Sequence, residues 1–220
     1  MFKCDPHVHT DESSICGRIP AKEIVTLYKE AGFDTIFITD HVDWRRFDER
    51  PESSLKEYVE DALVGYKIAK EQGDKIGLTV LWATEIMLRE SKNHYLIYGV
   101  KPEDIWEIEN LFDITSNQLY EHIKSKGGYV IQAHPYRDEV CYPAPDACDA
   151  IEVYNSHPRH RNYNQEAFLS SIKYNKPQTA GSDSHQRPDV GLSGILTENK
   201  IDSVKDYIDA VQNKKLEIIW

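Results

Sequence analysis

The chain has 220 residues, enough for a single domain, 1–220, with a buried core. Its 37 acidic against 26 basic side chains give a formal charge of −11, which repels nucleic acid and anionic membranes, so neither is expected as a partner. No run approaches the ~20 apolar residues of a membrane span, no signal-type segment opens the chain, and Cys4, Cys16, Cys141 and Cys148 form no Cys-x-x-Cys pair, so a reduced, cytoplasmic setting is expected.

Phe2 to Val8 reads as an opening strand. Ala21 to Ala31 is a helix, with Pro20 at its start, Ile24, Leu27, Tyr28 and Ala31 on one face, and Gly32 as its stop. Thr35 to Thr39 is apolar on both faces, as a buried parallel strand is. Ser54-Leu55-Lys56-Glu57 is a capping box that opens a helix through Val59, Ala62, Leu63, Tyr66 and Ala69, ending before Gly73. Strands are predicted over Leu78 to Ala83, His94 to Tyr98, Tyr129 to Ala133, Ala150 to Tyr154 and Pro177 to Ala180. Helices are predicted over Pro102 to Leu111, Ser116 to Lys126 and Asn164 to Tyr174, and a last one capped by Ser203 precedes a final strand, Leu216 to Trp220. Roughly seven strands alternating with helices predict an α/β fold with a parallel sheet, and the repeat count favours a small barrel.

Seven of the nine histidines lie beside these strands, mostly just after them. The carboxyl ends of parallel strands converge on one rim, where active sites are built. His7 and His9 share a face because the strand period is two, and Asp183-x-His185 repeats that spacing. Asp40-His41, Glu85 and His134 each follow another strand. Each alone is compatible with a structural role, but five strand ends carrying metal-type ligands point to a divalent metal site suited to zinc, manganese or iron. Glu85 is the natural bridge. His94 begins its strand, so it joins the site only if that strand runs against the others.

The motifs His7-Val8-His9-Thr10, Thr39-Asp40-His41, Thr84-Glu85, His94-Tyr95-Leu96, Ala133-His134-Pro135 and Gly181-Ser182-Asp183-Ser184-His185 resemble those of the polymerase and histidinol phosphatase (PHP) domain family, in that family's order. The resemblance implies a distorted (βα)7 barrel and a metal-dependent phosphoesterase with three ions. By motif, the first ion takes His7, His9, Glu85 and Asp183; the second His41 and His185; the third Glu85, His94 and His134. The reacting centre falls at Glu85, Asp183 and His185. Many members supply a further His or Asp to the second ion a few residues after His-x-His. Here the stretch reads Asp11-Glu12-Ser13-Ser14-Ile15-Cys16, so Glu12, then Asp11, is the expected ligand, with Cys16 an alternative as a thiolate although a buried inert thiol is the simpler reading.

A phosphate dianion approaching so acidic a chain needs concentrated positive charge, which metal ions supply. Arginines complete such a pocket. Arg159 and Arg161, with His157 and His160, stand in a basic stretch after the strand from Ala150; Arg137 and Arg187 follow presumptive ligands, and Arg18 is a weaker candidate. Asp43 to Ser53 is a polar loop placed to cover the site. The expected substrate is a small-molecule phosphate monoester or diester. Histidinol phosphate is the narrower alternative, and a non-catalytic accessory PHP domain or a carbon–nitrogen hydrolase are the competing classes.

Overall fold

Five of the seven residues of the first strand are buried in the computed structural model, which describes residues 1–220. The chain runs through β1 (Phe2–Val8), α1 (Ala21–Glu30), β2 (Thr35–Ile38), β3 (His41–Asp43), α2 (Trp44–Asp48), α3 (Leu55–Ala62) and α4 (Val64–Ile76). It continues through β4 (Thr79–Trp82), β5 (Thr84–Met87), β6 (His94–Tyr98), α5 (Pro102–Trp106), α6 (Ser116–Ser125), β7 (Tyr129–Ala133) and β8 (Ala150–Asn155). It ends with α7 (Asn164–Lys173), β9 (Gln178–Gly181), β10 (Gly194–Thr197), α8 (Val204–Gln212) and β11 (Glu217–Ile219).

The strands form two mixed sheets, and no closed barrel is found in place of the distorted (βα)7 barrel expected. One has the order β11-β10-β1-β2-β4 and the other β3-β5-β6-β7-β8-β9. They meet at a parallel bridge between Val8 and Ser184, where the Asp183 amide donates to the His7 carbonyl at 2.9 Å. Within them, β6 runs antiparallel to both β5 and β7, and β10 to both β1 and β11, while the remaining pairs are parallel. Only six residues separate β5 from β6, too few for the crossover a parallel pair requires. That reversal brings His94, the first residue of β6, level with Met87 and Ala133, beside the strand ends that carry the other histidines.

The capping box at Ser54–Glu57 forms, but the single helix expected after it is two, broken at Leu63. The second passes through Gly73 and stops at Gly77, whose left-handed φ of 74° reverses the chain. Three apolar clusters hold the sheets. One of them stacks Phe37, Tyr98 and Tyr207, with ring centroids 4.9–5.3 Å apart. Burying each such ring contributes about 1.5–3 kcal/mol, which fixes the strands whose ends carry the polar cluster.

Candidate metal centre

His7 and His9 leave β1 on the same face, both fully buried. His7 Nδ1 lies 2.8 Å from Glu152 Oε1. The carboxylate accepts, so Nδ1 carries the proton and Nε2 turns its lone pair inward. There, four donor atoms converge. His7 Nε2 and His9 Nε2 are 3.1 Å apart, Glu85 Oε2 lies 3.6 and 3.4 Å from them, and Asp183 Oδ1 lies 3.5 and 3.2 Å from them. A tetrahedral ion with bonds of about 2.0–2.1 Å needs donors about 3.3–3.4 Å apart. Asp183 Oδ1 is buried with no hydrogen-bond partner, a costly state that a cation relieves. The donor set fits a divalent metal.

Glu85 divides its two oxygens. Oε1 contacts His94 Nδ1 at 2.9 Å and His134 Nε2 at 3.0 Å, while Oε2 contacts His41 Nδ1 at 2.9 Å. Burial alone would raise the Glu85 pKa; the surrounding His94, His41 and His7 outweigh it and hold the carboxyl well below its usual range. An ionised carboxylate presented to two groups of imidazoles has the form of a bridge. His134 and Asp183 both sit in the left-handed region, at φ 28° and 52°. Such conformations persist where surrounding structure over-determines them, and they collect at functional sites.

A third group joins His9, His41 and His185, whose ligating atoms lie within 4.8 Å of one another. His9 stacks on both others, with ring centroids at 4.3 and 4.5 Å. Burial, then the charges of His41 and His185, push the His9 pKa well down, favouring the neutral form that binds metals. Cys16 borders this group: its Sγ lies 2.9 Å from His185 Nε2. Burial would raise the thiol pKa; His41 and His185 reverse that and bring it to about 5.

Glu12, the expected ligand on this loop, stands apart. Its carboxylate accepts from the Ala21 amide at 2.9 and 3.1 Å. The free amides at the start of α1 attract an anion and have no side-chain cap of their own, which accounts for the turn away from the cluster. Asp11 is exposed.

The arginines expected to grip phosphate are largely engaged elsewhere. Arg137 pairs with Asp183 and donates to Asn155 and Asn162 at 3.0 Å, so it braces the cluster instead of facing an open cleft. Arg159 pairs with Asp189. Arg187 pairs with Glu23 on the surface. Arg161 makes no carboxylate pair and is exposed. His157 is nearly buried, with its ring 4.9 Å from that of His185, and His160 stacks on it at 4.7 Å and pairs with Asp138. Asp43 to Ser53 is partly helical, since the Asp43 side chain accepts from the Arg45 amide at 2.8 Å to cap α2.

Two carboxylates support the cluster from behind, Asp40 of the Asp40-His41 pair and Glu152, which the sequence reading does not single out. Glu152 holds His7, and its other oxygen accepts from the His134 amide at 3.0 Å and from Asn155 at 2.9 Å. The available signal was a lone charge at the centre of the apolar strand Ala150–Tyr154. Asp40 accepts from Thr10 at 2.7 and 2.8 Å and from Ser14 at 2.7 Å, and Ser14 in turn lies 3.3 Å from His9 Nδ1.

An α/β fold with a buried cluster of histidines and carboxylates at its strand ends defines a candidate metal-dependent hydrolase. The chain belongs to the PHP domain family: the family model matches residues 5–141, and that of the PHP-associated family matches residues 161–216. It is similar to an uncharacterized protein of Methanocaldococcus jannaschii, with 25% identity over 80% of this chain and 91% of that one. Its fold is similar to that of a two-domain Bacteroides vulgatus protein described as containing a PHP-like metal-dependent phosphoesterase. The TM-score is 0.70 and the identity 19%, over 99% of this chain, which spans 64% of that protein.

Endonuclease Q of Pyrococcus furiosus, a lesion-specific endonuclease, also shares the fold, with TM-score 0.63 and 13% identity over 99% of this chain and 57% of that one. A similar structure, at the same TM-score and identity, is a complex of Endonuclease Q with a 27-mer duplex bearing an abasic lesion at its active site. This corrects the exclusion of nucleic acid drawn from the net charge. A whole-chain sum says nothing of local charge at a site, and the same fold in Endonuclease Q engages a DNA duplex. No helix here is long and apolar enough to cross a membrane.

Proposed function

We propose that this protein hydrolyses phosphate esters, with a small-molecule phosphomonoester or phosphodiester as substrate, at a cluster of three divalent ions. The observation that carries the reading is the convergence of His7, His9, Glu85 and Asp183 at 3.1–3.6 Å around an unpartnered carboxylate oxygen. Those four residues would hold the first ion, His41 and His185 the second, and Glu85, His94 and His134 the third. Bound there, divalent ions would supply Lewis acidity towards the phosphoryl oxygens and lower the pKa of a water. The protein's own work is orientation. Glu152 fixes the His7 tautomer, Arg137 and Asn155 brace Asp183, and Asp40 holds Ser14 against His9. His157, whose ring lies 4.9 Å from that of His185, and Arg161, which makes no carboxylate pair, are the proposed contacts to the anionic substrate.

The test is turnover by metal-loaded protein of an aryl phosphomonoester, a bis-aryl phosphodiester, histidinol phosphate and a duplex with an abasic lesion. Hydrolysis of a small ester, lost in chelator, restored by metal and abolished in His9→Ala, supports the reading. Cleavage of the duplex alone overturns the small-molecule substrate. Fully metal-loaded protein that cleaves none of the four overturns the proposed activity.

A further inference from the structure

We infer that Cys16 is a thiolate ligand of the ion held by His41 and His185, and that its sulfur biases this site towards zinc over manganese. The inference rests on the metal-centre reading above and adds a ligand to it.

The orientation of His185 comes first. Its Nδ1 lies 2.8 Å from the Asp183 carbonyl oxygen, which can only accept, so Nδ1 carries the proton. The Nε2 lone pair is then left to face Cys16 Sγ at 2.9 Å. A ring anchored through one nitrogen, with the other free and aimed inward, is the usual arrangement of a ligating histidine. Around a tetrahedral ion, bonds of about 2.3 Å to sulfur and 2.0–2.1 Å to nitrogen set these atoms about 3.6 Å apart. The pair opens by about 0.7 Å to admit the ion, a small displacement for a side chain on the turn that follows Ser14.

The surroundings supply independent support. The imidazoles of His9, His41 and His185 gather beside Cys16, their ligating atoms within 4.8 Å of one another, as donors to a shared ion do. The other cysteines show what structural thiols look like here. Cys141 Sγ bonds the Lys92 carbonyl at 3.0 Å, Cys148 Sγ bonds the Pro145 carbonyl at 3.9 Å, and Cys4 sits in an apolar cluster. Only Cys16 meets imidazoles. No carboxylate of the same loop competes, because Glu12 caps α1. A thiolate is a soft ligand and selects zinc over the harder manganese and magnesium ions, and the thiol proton is released on binding.

Cobalt(II) loading reads the ligand directly. Wild-type protein is expected to show a near-ultraviolet sulfur-to-cobalt charge-transfer band, absent from Cys16→Ser, with the visible cobalt bands of the remaining sites retained. Zinc content is expected to drop by one equivalent in Cys16→Ser, and Cys16→Asp is expected to narrow the preference of that site for zinc over manganese at least tenfold. In the wild type, zinc is expected to protect Cys16 from alkylation, read by peptide mass spectrometry, so the test does not depend on the variant folding. Identical cobalt spectra for wild type and Cys16→Ser, or equal alkylation of Cys16 with and without bound zinc, overturns the inference and leaves the metal centre standing. Wild-type protein that takes up no cobalt or zinc overturns both.

Discussion

His7 Nδ1 and Glu152 Oε1 lie 2.8 Å apart with both side chains almost wholly buried, joining the first strand to the eighth. Gly181 stands against this pair: a Cβ there would lie 2.5 Å from His7 Cβ and 2.9 Å from Glu152 Oε1. The contact fixes which nitrogen of His7 faces the cluster. Carboxylates placed behind ligating histidines typically contribute about 10–100-fold to metal affinity. Glu152→Gln is therefore expected to weaken zinc binding by about that factor, measured by chelator competition. Gly181→Ala is expected to do the same and to lower stability by about 1–3 kcal/mol through overpacking. Unchanged affinity in both variants would reduce Glu152 to a space-filling role.

Asp5 gives a pH signature of its own. It is fully buried, and burial raises its pKa to about 6 against the lowering effect of hydrogen bonds from Ser182, Tyr28 and the His7 amide. The folded protein thus holds this proton at pH values where the unfolded chain has released it. Stability from this group falls as pH rises from about 4 to about 6 and stays lower above, a difference of about 3 kcal/mol. In metal-free protein, the urea-unfolding free energy of wild type relative to Asp5→Asn is expected to decline by about that amount across the window. A flat difference would place the Asp5 pKa at its ordinary value.

The same residues show what the sequence could disclose. The alternation His7-x-His9 and Asp183-x-His185 was legible because a strand has period two, so spacing alone puts both side chains on one face. The antiparallel course of β6 was legible in part, since His94 stood at the wrong end of its strand for a parallel site. Glu12 and Cys16 could not be told apart in this way: on a turn no period sets side-chain direction, and the nearby start of α1 decided it. Nor could the fate of the arginines be read. Arg137, Arg159 and Arg187 find their acids 46, 30 and 164 residues away in the chain. The division into two sheets could not be read either, because β1 takes one of its neighbours, Gly194–Thr197, from nearly the whole sequence away.

Those distant partners separate the arginines into testable roles. Arg161 makes no carboxylate pair, whereas Arg187 is held by Glu23 at the surface. Arg161→Ala is expected to raise KM for a phosphate ester about 5–50-fold, with a smaller change in kcat, as removal of a charge-assisted hydrogen bond of about 1–2.5 kcal/mol requires. Arg187→Ala is expected to leave both constants within twofold. Steady-state kinetics on the ester that turns over best decides it, and equal effects in the two variants would remove Arg161 from the substrate pocket.

Arg137 is the strictest case, because its charge is buried beside the cluster. Its guanidinium pairs with Asp183 and donates to Asn155 and Asn162, and only 12% of its side chain is exposed. Burial alone would raise the Asp183 pKa; Arg137, then His7, outweigh burial and keep the carboxyl well below its usual range. Removing one partner of a buried pair leaves the other uncompensated and costs about 3–5 kcal/mol. Arg137→Ala is expected to lose about that much stability without metal, read by urea unfolding. Arg137→Lys is expected to recover only part of it, since an ammonium cannot reproduce the planar fork that reaches Asp183, Asn155 and Asn162 together. Zinc is expected to restore more stability to Arg137→Ala than to wild type if the metal takes over the charge of Asp183. Equal stabilisation of the two proteins by saturating zinc would show that Asp183 does not depend on either cation for its place.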